Sequence, residues 1–181
     1  YVSELLRAER YQLDASALRP YLELERVLNE GVFAAANGLY GITFAERADL
    51  RGYNDEVRVF EVNDADSTPI GLFVADFYTR PGKQGGAWMN NLVDQNHLLG
   101  QLPVVCNNSN LIKPPAGQPT LMPWDDVITL FHEFGHALHG LLSDVRYRSQ
   151  SGTETPRDFV EYPSQVNEMW ALDAEILPRF A

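Results

Sequence analysis

His132, Glu133 and His136 stand in the order H-E-x-x-H inside the stretch LFHEFGHALHG, residues 130–140. On a helix, residues four apart lie about 40° apart around the axis and one turn along it, so both imidazoles can reach one divalent ion. Glu133 lies about 100° round from His132 and cannot comfortably bind that ion. It can face a water at the ion's open position instead. The spacing alone therefore separates two ligands from one base. In a chain with 4 histidines among 181 residues, chance produces this pattern in fewer than roughly one sequence in a hundred. Gly135, between the two histidines, permits close approach by another element at a cost of roughly 1 kcal/mol in helix propensity.

A catalytic zinc needs three protein ligands and an open position. No third histidine lies at the short downstream spacing of the metzincin pattern. His139 falls at i+7 from His132, two turns away on nearly the same face, and reads as a residue that backs a ligand or simply packs. The remaining candidate is an acid. FVEYPSQ offers Glu161, 29 residues after His132, at the start of the next predicted helix and between apolar neighbours that leave its charge needing a partner. The competing reading is an exposed first-turn acid favoured by the helix dipole. Glu168, seven residues further on the same face, is placed to orient a histidine from behind.

The elements that must hold these residues can be read from periodicity. Val127, Leu130, Phe131, Phe134, Leu138 and Leu141 make one apolar face of a helix from Trp124, with Asp125 or Asp126 placed to cap its start. After the loop SGTETP, DFVEYPSQVNEMWALDAEIL reads as a further helix in which Pro163 suits only the first turns. Gly152 in that loop would let a peptide backbone come close, and a plain surface loop is an equal reading. Upstream, residues 1–15 read as the end of a helix, and another runs from Pro20 to about Leu39, with Gly38 and Gly41 as end signals. VRVFEV (57–62) and PIGLFVADFY (69–78) form a predicted hairpin. RPGKQGGAW is a glycine-rich link without the ending of a phosphate loop. LPVVCNN (102–108) is a candidate strand. Helices, then strands, then helices suggest an α+β fold, mainly helical, with a small sheet beside the H-E-x-x-H helix.

Bulk properties narrow the partners. The net charge of −11, from 25 acids and 14 bases, disfavours nucleic acid and anionic membranes, which are bound through clustered Lys and Arg. No run approaches the roughly 18 apolar residues of a membrane span. The single cysteine, Cys106, sits in an apolar setting as a buried thiol, and favours a reducing, cytoplasmic compartment. The chain opens at Tyr1 and stops at Ala181 directly after a helical stretch. We expect one domain, residues 1–181, cut from something longer at both ends.

HEFGH followed by RDFVEYPSQVNEMW resembles the thimet-oligopeptidase-like family of zinc metallopeptidases, whose pattern is HEFGH and then F-V-E-x-P-S-Q. LFVADFYTRPGKQGGAWM is similar to the family's stretch ahead of that helix. LRPYLELERVLNEGVFAAANGLYGITF, GQPTLMPWDDVITLFHEFGHALHGL and SGTETPRDFVEYPSQVNEMWA resemble its bacterial peptidyl-dipeptidase branch. The resemblance implies that His132, His136 and Glu161 bind zinc and that Glu133 is the general base and acid. It also implies a mostly helical fold with a deep channel for short peptides, and release of dipeptides from the free carboxyl end. A sister branch of the oligopeptidase A type cleaves internally, and the zinc motifs do not separate the two. The family's downstream tyrosine and histidine, which steady the oxyanion, have no counterpart before Ala181, so this stretch alone is expected to be poorly active. The alternative from another class is a peptide-binding module in which zinc, closed by a fourth protein ligand, only staples two helices.

Overall fold

The computed structural model describes residues 15–181. The helix end read at residues 1–15 falls almost wholly outside them. A 3-10 helix, Ala15–Tyr21, contains Pro20. The first long helix, α1, begins later than expected: Leu24–Arg26 passes through a π-helical segment, Val27–Phe33, into Ala34–Tyr40. The delay has a local cause. Glu23 is extended, bridges to Leu121, and its side chain caps the backbone N–H of Arg26. At the far end Gly41 adopts φ 74° and returns its N–H to Asn37, the left-handed cap its sequence position announced.

The sheet is larger than the predicted hairpin and one strand. Five strands, β1 (Thr43–Glu46), β2 (Arg58–Asn63), β3 (Pro69–Tyr78), β4 (Trp88–Val93) and β5 (Val104–Leu111), lie in the order β1-β2-β3-β5-β4. The β2–β3 hairpin forms as expected, β3 pairs parallel with β5, and β4 returns antiparallel on the outer edge. β1 and β4 carry no clear sequence signal. WMNNLV has two adjacent asparagines and little β-branching, so its strand character comes from pairing with β5 rather than from propensity.

Alternation along β3 sets the layers. Phe73, Ala75 and Phe77 join the main core with the helices, while Val74 faces a smaller cluster with Val57, Val59 and Cys106. Cys106 is buried, as its setting implied. The helix α2 (Trp124–Leu141) lies on the main-core side, and the six residues of its expected apolar face are all buried. Its N-cap is Pro123, without a side-chain bond; Asp125 and Asp126 sit in the first turn instead, where they favour the dipole but do not cap. The next helix, α3 (Arg157–Glu168), is shorter than the predicted one and holds Pro163 in its interior. It tightens into a 3-10 turn, Met169–Leu172, and the chain becomes helical again at α4 (Leu177–Phe180). The fold is mixed α/β, with helices on one face of a five-stranded sheet. Among the described residues no helix is long and apolar enough to cross a membrane.

Candidate metal centre

The phenylalanine, the glycine and the histidines of HEFGH face different neighbours. Phe134 points at the sheet, where its ring meets Phe73 edge-on at 5.2 Å and lies 5.7 Å from Phe33 and 5.6 Å from Phe44. It pins α2 to the core; truncating such a ring costs about 3–5 kcal/mol. Gly135 faces α3: a Cβ there would lie 2.6 Å from Ser164 Cα and 2.8 Å from Asn167 Cβ. Bare backbone at this one position lets the two helices touch. Asn167, buried, donates from Nδ2 to the carbonyl of Phe131 at 2.6 Å and ties α3 to α2 beside His132.

That seam brings three predicted ligands together. Glu161 Oε2 lies 3.2 Å from Nε2 of His132 and 3.2 Å from Nε2 of His136. The two rings stand 4.9 Å apart and nearly perpendicular, at 85°. One potential ligand atom from each of the three residues falls within 4.8 Å of the others. Zinc bonds of about 2.0–2.2 Å at a tetrahedral angle put neighbouring ligand atoms about 3.3–3.5 Å apart, so the donor set fits that ion. Glu168 Oε1 lies 2.6 Å from His132 Nδ1. This contact leaves Nε2 of His132 as the atom facing the shared point.

Electrostatics favour the ligating forms of His136 and Glu161. Burial holds His136 below the usual histidine range, against the pull of Glu161, and so favours the neutral ring. For Glu161 burial would raise the carboxyl, but the Ser164 hydroxyl and the two imidazoles outweigh it and hold it below the ordinary carboxylate range. Glu133 differs. It is 7% exposed, and burial together with the Glu161 charge raises its carboxyl against the opposing pull of His132. Among the described residues its buried Oε2 has no hydrogen-bond partner, and neither has His136 Nδ1. The two neighbouring carboxyls are thus pushed in opposite directions, Glu161 down and Glu133 up, the kind of separation that assigns different roles to two acids in one site.

His139 takes no place in the group. Its ring packs 6.3 Å from Phe159, its buried Nδ1 has no partner among the described residues, and it lines a cleft on the other side of the α2–α3 seam. Gly152, at φ 52°, spends its small size on the protein itself: a Cβ would lie 2.9 Å from Gly140 Cα. Two residues not expected from the sequence prove central. Ser164, 0% exposed, gives its hydroxyl to Glu161, and Asn167 clamps the seam. A serine three residues after a candidate ligand, on a helix, is the signal that could have found the first.

Comparison with known proteins gives the family. The model of Peptidase family M3 matches residues 1–181. The chain belongs to peptidase family M3. It is 52% identical over its whole length to the dipeptidyl carboxypeptidase of Escherichia coli (strain K12), covering 27% of that protein. It is 40% identical to oligopeptidase A of Salmonella typhimurium, with 98% of the chain matched to 26% of that protein. The thimet-like oligopeptidase of Dictyostelium discoideum is 32% identical, again with 98% of the chain and 27% of the relative. This M3 chain thus spans about a quarter of the length of the curated relatives it matches.

Proposed function

We propose that residues 1–181 are the metal-binding core of a zinc peptidase that hydrolyses short peptides and releases dipeptides from their free carboxyl ends. The observation that carries this reading is the convergence of Glu161 Oε2 on both imidazoles, 3.2 Å from each, with the Glu133 carboxylate buried alongside. His132, His136 and Glu161 hold the ion. A bound zinc supplies a Lewis acid for the scissile carbonyl and brings the pKa of water toward about 7. Glu133 takes the proton of the attacking water and hands it to the leaving amine. Glu168 keeps the His132 ring turned and its Nδ1 occupied. The outer edge of β4 runs beside the same helix, since Gly140 packs against Asn91 and Met89. An extended peptide can add to that edge through its main chain.

The dipeptide-releasing branch is favoured over internal cleavage because the identity to a dipeptidyl carboxypeptidase, 52%, exceeds that to oligopeptidase A, 40%. A structural zinc would call for four protein ligands; among the described residues the group holds three. A cytoplasmic, reducing setting suits the buried thiol of Cys106.

Two measurements test the reading. Elemental analysis of the purified chain is expected to give one zinc per chain. A polypeptide of the relatives' length containing this segment is then given one peptide with a free carboxyl end and one with that end blocked. Dipeptides from the free peptide alone support the proposal. Internal cuts in the blocked peptide select the oligopeptidase A type, and a metal-free chain that does not take up zinc overturns the whole reading.

A further inference from the structure

Glu161 has more freedom than its place requires. Its side chain is 51% exposed, it has three rotatable bonds, and its two oxygens are chemically equal. Yet one oxygen, Oε2, stands 3.2 Å from both imidazoles. Among the described residues, the contact that fixes it besides those rings is the hydroxyl of Ser164, 2.9 Å from the same Oε2. The Ser164 Oγ also lies 2.9 Å from the main-chain carbonyl of Glu161. A hydroxyl has one proton, so it serves one of these acceptors at a time, and an ionised carboxylate is the stronger.

The hydroxyl is held where it is by the helix seam. Ser164 is fully buried, and its Cα faces Gly135, where a Cβ would come within 2.6 Å. The glycine inside the histidine motif thus sets the depth at which the serine sits. The serine in turn sets the carboxylate.

We propose that Ser164 is a positioning residue for the metal centre: its buried hydroxyl donates to Glu161 Oε2 and selects the carboxylate orientation that the two imidazoles meet. The proposal rests on the metal-binding reading above. Without the hydroxyl the carboxylate swings among rotamers, and each ion bound must order it afresh. Residues that orient metal ligands in this way are typically worth 10- to 100-fold in affinity.

The test uses the full chain and four variants: Ser164→Ala, Ser164→Cys, Glu161→Ala and His136→Ala. Zinc affinity is read by competition with a chromogenic chelator, cobalt binding by its visible d–d absorption, and folding by far-ultraviolet circular dichroism. Ser164→Ala is expected to fold, to bind zinc about 10- to 100-fold more weakly, and to change the cobalt spectrum. Glu161→Ala and His136→Ala lose more. A folded Ser164→Ala with unchanged affinity and an unchanged cobalt spectrum, beside a crippled Glu161→Ala, overturns the positioning role and leaves the metal site standing. If Ser164→Ala does not fold, Ser164→Cys decides: it fills nearly the same space with a weaker donor, and wild-type affinity there overturns the proposal. A wild-type chain that binds neither metal overturns the metal-binding reading, and this proposal with it.

Discussion

Glu133 shows how one side chain can be costly to the fold and useful to the chemistry. Its carboxyl is raised by burial and by the Glu161 charge, with His132 opposing. A raised carboxyl grips an abstracted proton more firmly, which is what a base that later acts as acid needs. The same shift has a stability consequence with a definite sign. Because the folded carboxyl is raised above its unfolded value, this group's contribution to stability is present at low pH and is lost as pH rises through the folded value. Glu133→Gln should therefore bind zinc as well as wild type, lose at least about 100-fold in turnover, and melt no lower than metal-free wild type at pH 7. Elemental analysis, a peptide assay and a thermal melt give the three readings. Substantial turnover with zinc bound would remove Glu133 from its role. At this scale the sequence is informative, because histidines and acids at i, i+1 and i+4 have fixed angular relations on a helix. Ser164 could be found there as a serine one turn beyond Glu161, but Asn167 is not legible, since its work depends on contact with a second helix.

Between helices, Gly135 makes the fit. Alanine there would gain roughly 1 kcal/mol of helix propensity. Against this, the new Cβ would stand 2.6 Å from Ser164 Cα and 2.9 Å from the Pro163 carbonyl, main-chain atoms that cannot swing aside. Overpacking of this kind costs about 1–3 kcal/mol, so the clash outweighs the gain in propensity. Gly135→Ala should lower stability by up to about 2 kcal/mol in urea unfolding and weaken zinc binding as α3 is pushed off α2. A variant more stable than wild type would mean that the seam is loose. The apolar period of α2 and the β2–β3 hairpin are readable because each follows one periodicity from end to end. The start of α1 lies later than Pro20 suggests because the bridge from Glu23 to Leu121 joins residues 98 positions apart. α3 is shorter than its pattern implies because the apolar pattern persists through the 3-10 turn Met169–Leu172 that follows it. β4, on the edge, escapes the sequence because β5 gives it its strand character.

Across the whole molecule, helices and sheet share one principal core, so a local electrostatic change should be read globally through cooperative unfolding. The best lever is Asp76 on β3, whose side chain is 1% exposed. Burial alone would raise its carboxyl. Arg80 donates to both its oxygens at 2.7 and 2.8 Å, Tyr53 at 2.7 Å and Lys83 at 2.9 Å. Together these bonds outweigh burial and hold the pKa down at about 2, against an ordinary 3.8. Arg80 and Lys83 come from RPGKQGG, so the glycine-rich link acts as a strap closing over β3, a role its composition could not reveal. A depressed carboxyl stabilises the fold above its unfolded pKa and loses that contribution as pH falls through the folded one. The difference corresponds to about 2 kcal/mol, present above roughly pH 5 and mostly gone near pH 2. Asp76→Asn should thus be less stable than wild type at pH 6 by about 2 kcal/mol or more, since it also leaves Lys83 buried without its anion. The gap should narrow as pH falls, because acid turns the wild-type carboxyl into a near-isostere of the amide. Urea unfolding of both proteins at pH 6, 4 and 2.5 measures it, and a gap that stays constant across that range would show that Asp76 is not the group through which acid weakens this fold.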